Sequence, residues 1–248
     1  MKWLALQGLK GGVGTTTVAT HLAVACHLQG RPTFLLDFSP GNLARVYLGM
    51  PWEVRRGLLS VLKNGQPWYQ AAYRSPQGVP FIPFGQDSAM LQRYQSGETL
   101  RSLFRSVRDE AGGLDLPDNA LCFVDCPPLA PSEAMLLAGL ADLNLLVLNP
   151  DPGCYAVLKQ QQVEPDTHVL VNRLRPEIDL SRDIHDLLLA DAHLRVLPVA
   201  IQEDACIAES LAWKQTVFEA APASQAAHDL GLLASWVASS LREVADVD

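Results

Sequence analysis

Basic residues are scarce in this sequence, and neither its cysteines nor its histidines follow a metal-binding spacing. The 248 residues include 19 Lys and Arg against 27 Asp and Glu, which gives a net charge of −8. This balance disfavours unassisted binding to DNA or anionic lipid, because both depend on clustered basic side chains. The five cysteines form no Cys-x-x-Cys pair and the six histidines form no His-x-x-x-His pair. Zinc and iron–sulfur sites are therefore not expected, and an odd, unpatterned set of cysteines is typical of a reducing compartment.

Long apolar runs are also missing. The most apolar segment, residues 135–148, contains Asp142 and Asn144, and it is shorter than the roughly 20 residues that a membrane-spanning helix needs. Lys10 and the glycines after it interrupt the apolar N-terminus too early for a secretory signal. No linker or internal repeat is visible, so residues 1–248 are expected to form a single cytoplasmic domain.

A phosphate-binding loop is present, but the residue that normally carries its positive charge is missing. Gly11, Gly12 and Gly14 follow an apolar strand and precede a helical pattern. In this arrangement backbone N–H groups and a helix N-terminus surround phosphate oxygens. The usual pattern is Gly, four residues, then Gly-Lys-Ser/Thr, but Leu9 replaces its first Gly and Thr15 replaces its Lys. A turn that only packs a helix against a strand would explain the glycines, but not three consecutive threonines, because β-branched Thr is a mediocre residue for a first helical turn.

Lys10, just before these glycines, suggests a particular family. The string Lys-Gly-Gly-x-Gly-x-Thr-Thr over residues 10–17 resembles the deviant Walker motif of the MinD/ParA family. The resemblance implies that Lys10 makes a catalytic contact across a dimer interface, to the phosphates bound by the partner chain. Taken by itself, Lys10 is equally compatible with a solvated loop lysine. Thr16 stands where the loop pattern places a Mg²⁺ ligand. The loop residues expected to bind nucleotide are Lys10, Gly11, Gly12, Val13, Gly14, Thr15, Thr16 and Thr17.

Apolar strands alternate with helical segments along the chain, which predicts a doubly wound, mostly parallel α/β sheet flanked by helices. Strands are expected at residues 3–6, 33–36, 79–84, 121–124, 143–148, 168–171 and 196–199. Helices are expected at residues 17–28, 58–62, 68–73, 100–107, 132–140, 184–189 and 226–244. Ligands bind beyond the carboxyl ends of the strands in such sheets. Asp37, Asp125 and Asn172 each end a strand, so they are expected to converge on the phosphate loop.

Asp125 and Asp37 are the candidate metal ligands. Asp125 closes an apolar strand, as in a Walker B segment, and would hold Mg²⁺ mostly through water; an Asp that caps the turn before Pro127 is the alternative. Asp37 begins a segment that resembles switch I of the MinD/ParA family, which also implies a catalytic role. A plain strand-end polar residue is the alternative there. The second acid of that switch, which the family uses to position the attacking water, is Ser39 in this sequence.

Asn172 and Arg173 resemble the pair that binds adenine in the same family. An Asn side chain offers both a donor and an acceptor to the base, and an Arg guanidinium can stack on its ring. As an isolated dipeptide the pair is a weak signal, and its place after a buried strand strengthens it. The later segment 198–204 resembles the part of the family that closes over the base, and there Pro198 and Ile201 are the candidates.

Two departures from the family pattern fall on the hydrolytic machinery. Thr15 removes the ammonium group that normally bridges the β- and γ-phosphates, and Ser39 removes the water-positioning carboxylate. A single supplied cation can be worth ~10³–10⁵ in the rate of phosphoryl transfer. Binding should suffer less, because one charge-assisted hydrogen bond contributes about 1.5–3 kcal/mol. We therefore expect a protein that binds ATP and Mg²⁺ and is at most a weak ATPase.

A closer resemblance is to one branch of this family, the bacterial cellulose biosynthesis proteins called BcsQ. It is carried mainly by residues 15–17 and 84–86 and extends over most of the chain. It implies an ATP-dependent homodimer that acts as an assembly or regulatory component of a cellulose synthesis and secretion complex. Small cytoplasmic proteins of that system and the membrane synthase are the implied partners, and recruitment to the inner membrane would pass through them.

Three alternatives remain at this stage: a partitioning or positioning ATPase that cycles on DNA or membrane, a scaffold that has lost nucleotide, and a metal-cluster reductase. The last helical segment, residues 226–244, carries an apolar stripe that includes Leu233 and Trp236. Basic residues are nearly absent from this segment, whereas helices that bind a membrane surface favour them. Its stripe is therefore expected to pack on the core or to form a partner surface.

Overall fold

One sheet carries the candidate site, and seven of its eight strands are parallel. The computed structural model describes residues 1–87, 90, 97–110, 116–127 and 139–243. Its strands are β1 (Lys2–Gly8), β2 (Thr33–Asp37), β3 (Tyr73–Arg74), β4 (Pro80–Ile82), β5 (Leu121–Asp125), β6 (Leu143–Leu148), β7 (Thr167–Val171) and β8 (Arg195–Val196). They are arranged in the order β3-β4-β2-β5-β1-β6-β7-β8, and only the edge strand β3 is antiparallel to its neighbour. This confirms the predicted doubly wound, mostly parallel sheet.

Helices cover both faces of this sheet. They are α1 (Thr15–Leu28), α2 (Ala44–Tyr47), α3 (Leu58–Lys63), α4 (Gly97–Glu110), α5 (Pro152–Leu158), α6 (Asp179–Ala190), α7 (Ala205–Ala212), α8 (Val217–Ala220) and α9 (Gln225–Glu243), with a 3₁₀ turn at Trp68–Ala71. Side chains along β1 alternate between the two faces. Leu4 and Leu6 pack with α1 and α9, whereas Trp3 and Ala5 pack with α3 and α4. Strands buried on both faces explain the continuous apolar runs in the sequence.

Several boundaries differ from the sequence-based expectation. The helix expected at residues 68–73 ends at Ala71, and Tyr73 instead pairs antiparallel with Phe81. Their rings lie 6.0 Å apart, a cross-strand aromatic contact that stabilises a strand rather than a helix. The last strand covers Arg195–Val196 and not residues 196–199. Most of the helix expected at residues 132–140 lies outside the described residues, and the described Gly139 and Leu140 form a turn.

The C-terminal helix α9 packs against α1, so core packing, one of the two roles expected of its apolar stripe, holds for most of the stripe, whereas Leu232 is 46% exposed. Leu233 and Val237 are fully buried, and Gln29 at the end of α1 donates a hydrogen bond to Gly231 O at 3.0 Å. Trp236 contacts the ring of His168 with a centroid distance of 5.2 Å. Within the described ranges, no helix has the length and apolar character needed to cross a bilayer.

Candidate nucleotide site

The phosphate loop connects β1 to α1 and is anchored in the core at its first residue. Leu9, which replaces the usual first glycine, is 7% exposed and belongs to the core cluster on the α1 side. Its backbone N–H donates to Val147 O at 2.9 Å, at the end of the neighbouring strand β6. The departure from the usual pattern therefore places an apolar anchor where the loop leaves the sheet.

The loop leaves a run of backbone donors without protein partners. Within the described part of the chain, the N–H groups of residues 10–17 donate to no protein acceptor. Gly12 and Gly14 have φ angles of 81° and 96°, a left-handed conformation that favours glycine. Left-handed residues alternating with others in a loop turn successive N–H groups toward one concave surface, where an anion can bind. The start of α1 adds the positive end of its helix dipole at the same place.

Thr15 occupies the position of the missing lysine, and its side chain folds back on the loop. A Cβ atom added at Gly8 would lie only 2.5 Å from Thr15 Oγ1, so Gly8 leaves the space that this hydroxyl uses. Lys10 points elsewhere: its Nζ lies 3.5 Å from Asp151 Oδ1, and its side chain is 40% exposed. Asp151 Oδ1 also accepts from the Cys154 N–H at 2.8 Å and so caps α5. In a single chain, the Lys10 ammonium is thus held beside the N-terminus of α5.

Asp37 and Asp125 form a buried acidic pair at the ends of β2 and β5. The two residues are direct neighbours in the strand register, and both are fully buried. Asp37 Oδ1 accepts from the Ser39 N–H at 2.7 Å. For Asp37 Oδ2 and both Asp125 carboxylate oxygens, the described residues provide no hydrogen-bond partner. Burial raises the pKa of Asp125 to about 7, and burial together with the Asp125 charge raises the pKa of Asp37 well above its usual value.

Thr16 completes the predicted metal-binding group. Its hydroxyl lies beside Asp125 and partly offsets the effect of burial on the pKa of that carboxyl. No cluster of three or more His, Cys, Asp or Glu side chains suited to a metal ion is found among the described residues. Mg²⁺ commonly uses only one or two carboxylates together with waters and phosphate oxygens. Two buried carboxylates with three oxygens that have no hydrogen-bond partner in the described part of the chain, beside a hydroxyl and an anion-binding loop, therefore fit a Mg²⁺–phosphate group.

A cavity of about 610 Å³ extends from the loop between α2 and α7. Its size and its mixture of apolar and polar side chains are those of a small-molecule site. Arg173 on its wall has a φ angle of 55°, an uncommon backbone conformation that is found preferentially at binding sites. The residues that line the cavity are Gly14, Thr17, Leu43, Tyr47, Asn172, Arg173, Gln202, Glu203, Asp204, Ala205, Ile207, Ala208 and Leu211.

Two of the predicted base-binding residues do not belong to this lining. Ile201 is 1% exposed because its backbone extends the sheet, donating to Val171 O at 2.9 Å and accepting from the Leu174 N–H at 3.0 Å. Pro198 is exposed at the start of the same segment. The following residues, 202–205, line the cavity instead. The predicted segment thus reaches the cavity, but with residues later than those selected from the sequence.

Comparison with known proteins agrees with this geometry. The sequence model of the family described as cellulose biosynthesis protein BcsQ matches residues 1–238. The BcsQ protein of Escherichia coli (strain K12) is 32% identical over 240 residues, which cover 95% of this chain and 94% of that protein. This chain belongs to the BcsQ family.

Solved structures extend the BcsQ-family assignment to the wider fold. The septum site-determining protein MinD of Pyrococcus horikoshii, complexed with Mg-ADP, superposes with a TM-score of 0.71 at 22% identity, covering 95% of each chain. Cobyrinic acid a,c-diamide synthase of Mycobacterium smegmatis, with a bound ATP analogue and magnesium, gives a TM-score of 0.70 at 22% identity, covering 95% of this chain and 93% of that one. At such identities the likeness establishes the fold.

The segment that resembles switch I contacts residues 84–86, which carry part of the resemblance to BcsQ. Asn42 is 3% exposed and has a φ angle of 51°. Its Oδ1 accepts from the Gly85 N–H at 3.2 Å. Gly85 lies in turn against Gly57, where an added Cβ would approach the Gly85 backbone to 2.5 Å. The segment Phe84-Gly85-Gln86 is therefore packed against the switch that follows Asp37.

Sequence reasoning missed two groups of residues in this BcsQ-family site. Tyr47 lines the cavity, and its hydroxyl lies 3.2 Å from Thr17 Oγ1. The helix that carries Tyr47 has only four residues, too few to show a helical period. Asn149 and Asp151 follow β6, and their only signal was a polar cluster after an apolar strand. The rule that ligands bind at carboxyl strand ends would have selected them.

Proposed function

We propose that this protein binds ATP with Mg²⁺ and that the ATP-bound form is a homodimer which acts as an assembly component in bacterial cellulose synthesis. The observation that carries the proposal is the run of unpartnered backbone N–H groups at residues 10–17 beside two buried carboxylates. Most of the loop residues are half-buried or exposed, whereas Asp37 Oδ2 and both Asp125 carboxylate oxygens are buried without hydrogen-bond partners among the residues that the structure describes, an arrangement that lowers stability. A triphosphate and a divalent cation would satisfy both sets of groups.

Different groups of residues would bind the phosphates, the nucleoside and the metal ion. The loop amides would surround the phosphates, and the cavity between α2 and α7 would hold the nucleoside. Thr16, Asp37 and Asp125 would hold Mg²⁺, which supplies positive charge to the phosphate oxygens when bound. The related folds solved with Mg-ADP and with an ATP analogue and magnesium support this choice of ligand.

Hydrolysis is expected to be slow or absent. Thr15 Oγ1 is a neutral hydroxyl folded against Gly8, so it supplies no charge to a transferring phosphate. Ser39 contributes its backbone N–H to Asp37, and a serine hydroxyl is a far weaker base than a carboxylate. Because phosphoryl transfer depends on positioning and charge, this site is better suited to holding ATP than to turning it over.

Lys10 supports the dimeric part of the proposal. Its ammonium makes a single, partly solvated contact at 3.5 Å, and such an exposed pair contributes about 1 kcal/mol or less. The side chain can therefore be redirected at little cost toward a nucleotide in a second chain. The names of the BcsQ relatives support a role in cellulose biosynthesis, with cytoplasmic secretion proteins and the membrane synthase as proposed partners.

Isothermal titration calorimetry with ligand-stripped protein tests ATP binding, and the solution mass with and without ATP tests the dimer. We expect ATP uptake that requires Mg²⁺ and is lost in Asp125→Asn, and a dimer with ATP that is lost in Lys10→Ala. Asp183→Asn, an exposed exchange on α6, serves as the matched control. Absence of ATP uptake by the wild-type protein would overturn the proposal. Multiple turnovers per minute, abolished by Lys10→Ala, would favour a cycling ATPase of the MinD/ParA type.

A further inference from the structure

The carbonyl oxygen of Val13, in the middle of the phosphate loop, accepts a hydrogen bond from one asparagine side chain and lies within hydrogen-bond distance of the amide of a second. Asn172 Nδ2, beyond the end of β7, donates to it at 2.7 Å. Asn149, beyond the end of β6, donates to it at 3.2 Å when its amide nitrogen faces the loop, and the same nitrogen then lies 3.3 Å from Asn172 O. Two neighbouring strands thus contribute one amide each to the same carbonyl group.

The position of Asn172 is tightly defined. The residue is 4% exposed, and its backbone N–H donates to Leu148 O at 2.8 Å. Its side-chain nitrogen would lie 2.4 Å from a Cβ atom at Gly14, so the amide packs directly on the loop backbone. A glycine is required at position 14 both for this contact and for the φ angle of 96°.

Holding this carbonyl also fixes a donor on the opposite side of the loop. In a trans peptide the C=O and the following N–H point in opposite directions. With the Val13 carbonyl held toward the ends of β6 and β7, the Gly14 N–H points away from them. That N–H has no acceptor in the described part of the chain. It therefore remains available to donate to a bound anion.

We propose that Asn172 and Asn149 are positioning residues that hold the phosphate loop in its anion-binding conformation before any ligand arrives. This inference rests on the proposed function, because it concerns the same phosphate site. It assigns Asn172 a role in addition to any contact with the nucleobase: one of its amide hydrogens is donated to the loop, while its second amide hydrogen and its Oδ1 stay available on the cavity side.

The test compares ATP with inorganic tripolyphosphate, which has the same phosphate chain but no base or sugar. Both are titrated by calorimetry into wild-type protein, Asn172→Ala and Asn149→Ala at saturating Mg²⁺. We expect Asn172→Ala to weaken tripolyphosphate about tenfold, as for the loss of one or two hydrogen bonds that leaves a buried acceptor unpaired, and to weaken ATP by at least the same factor, because Asn172 also lines the cavity. Asn149→Ala should weaken both ligands equally and by less, because its donor distance is longer.

Two further measurements keep the outcome interpretable. The ratio of ATP to GTP affinity should be unchanged in Asn149→Ala, because Asn149 does not line the cavity proposed for the nucleoside. Asn64→Ala, at an exposed position after α3, controls for the exchange itself. If Asn172→Ala fails to fold, Asn149→Ala still provides the comparison between the two ligands.

The possible results separate the two proposals. A loss confined to ATP, with tripolyphosphate unaffected, would overturn the positioning role and make Asn172 a reader of the nucleoside. No loss with either ligand in both variants would also overturn it. If wild-type protein binds neither ATP nor tripolyphosphate, the proposed function itself fails.

Discussion

Asp37 and Asp125 lie opposite each other on adjacent parallel strands, and neither side chain is exposed to solvent. Two carboxylates in this arrangement repel each other and have lost their hydration, so both favour the protonated form. The unliganded protein is therefore less stable when the pair ionises. A bound cation would offset this cost, which is the basis of the first prediction.

The first prediction concerns the stability of unliganded Asp125→Asn. The pKa of Asp125 is raised from 3.8 to about 7, so between these values the folded chain retains a proton that the unfolded chain releases. The stability that the retained Asp125 proton contributes to the folded chain is therefore fully present below pH 4 and is lost as the pH rises through 7. Because Asn cannot ionise, we expect the variant to exceed wild type by about 2–4 kcal/mol in the free energy of unfolding at pH 8, and by much less at pH 4.

Urea denaturation at several pH values measures this difference. The exposed exchange Asp183→Asn on α6 should leave the pH dependence unchanged. A variant that is no more stable than wild type at pH 8 would show that the acidic pair is not strained in the unliganded chain. In the presence of ATP and Mg²⁺ the order should reverse, because only the wild-type carboxylate gains from the cation.

The second prediction concerns His21, which joins α1 to α8 under the cavity. Its Nδ1 lies 2.7 Å from Thr17 O, and its Nε2 accepts from the Val217 N–H at 3.1 Å. Burial lowers the pKa of His21 from 6.5 to about 4. The unfolded chain therefore takes up a proton in this range that the folded chain does not, and the His21 contribution to stability, present above pH 6.5, is lost as the pH falls through 4.

His21→Phe keeps the ring and removes both hydrogen bonds. We expect it to lower the free energy of unfolding by about 2 kcal/mol at pH 7, because the Val217 N–H is left buried without an acceptor. The difference from wild type should shrink as the pH falls from 6.5 toward 4. His228→Ala, on the exposed side of α9, is the control. The free energy of unfolding is measured with denaturant. If wild type and His21→Phe differ by as much at pH 4.5 as at pH 7, His21 is not held neutral by its two hydrogen bonds.

The third prediction restores the missing charges. Thr15→Lys should raise phosphate release at least about tenfold, because one cation at the phosphates can contribute far more than this to phosphoryl transfer. Adding Ser39→Asp should raise it further by supplying the absent carboxylate. Thr15→Met, which has a long but uncharged side chain, is the matched control. If ATP still binds and neither substitution increases phosphate release, the two departures are not what limits hydrolysis.

The fourth prediction tests the contact between Lys10 and Asp151. Asp151→Asn retains an oxygen that can cap α5 through the Cys154 N–H and removes only the charge that faces Lys10. We expect unchanged stability, within about 0.5 kcal/mol, because the pair is partly exposed, and a dimer with ATP that is several-fold tighter. Sedimentation at a series of concentrations measures the dimer. The gain should vanish in the double variant with Lys10→Ala, and a weaker dimer in Asp151→Asn would contradict the expectation.

The sheet and the ends of its strands could be predicted from the sequence, because buried parallel strands appear as apolar runs and their carboxyl ends carry ligand residues. Asp37, Asp125 and Asn172 were found in this way. Tyr47 could not be found, because α2 is too short to show a period. The partner of Asn172 could not be found either: Val13 lies 159 residues away in the chain, and no local pattern reports such a contact.

The wall of the nucleoside cavity formed by α7 has a consequence for biosynthesis. Ile207, Ala208 and Leu211 emerge from the ribosome only after every strand of the sheet has been made. A growing chain that ends at β8 would hold the glycine loop and both aspartates while the cavity still lacked the side that α7 forms. Under the proposed function, nucleotide binding at full strength therefore requires a chain that has been made through α7.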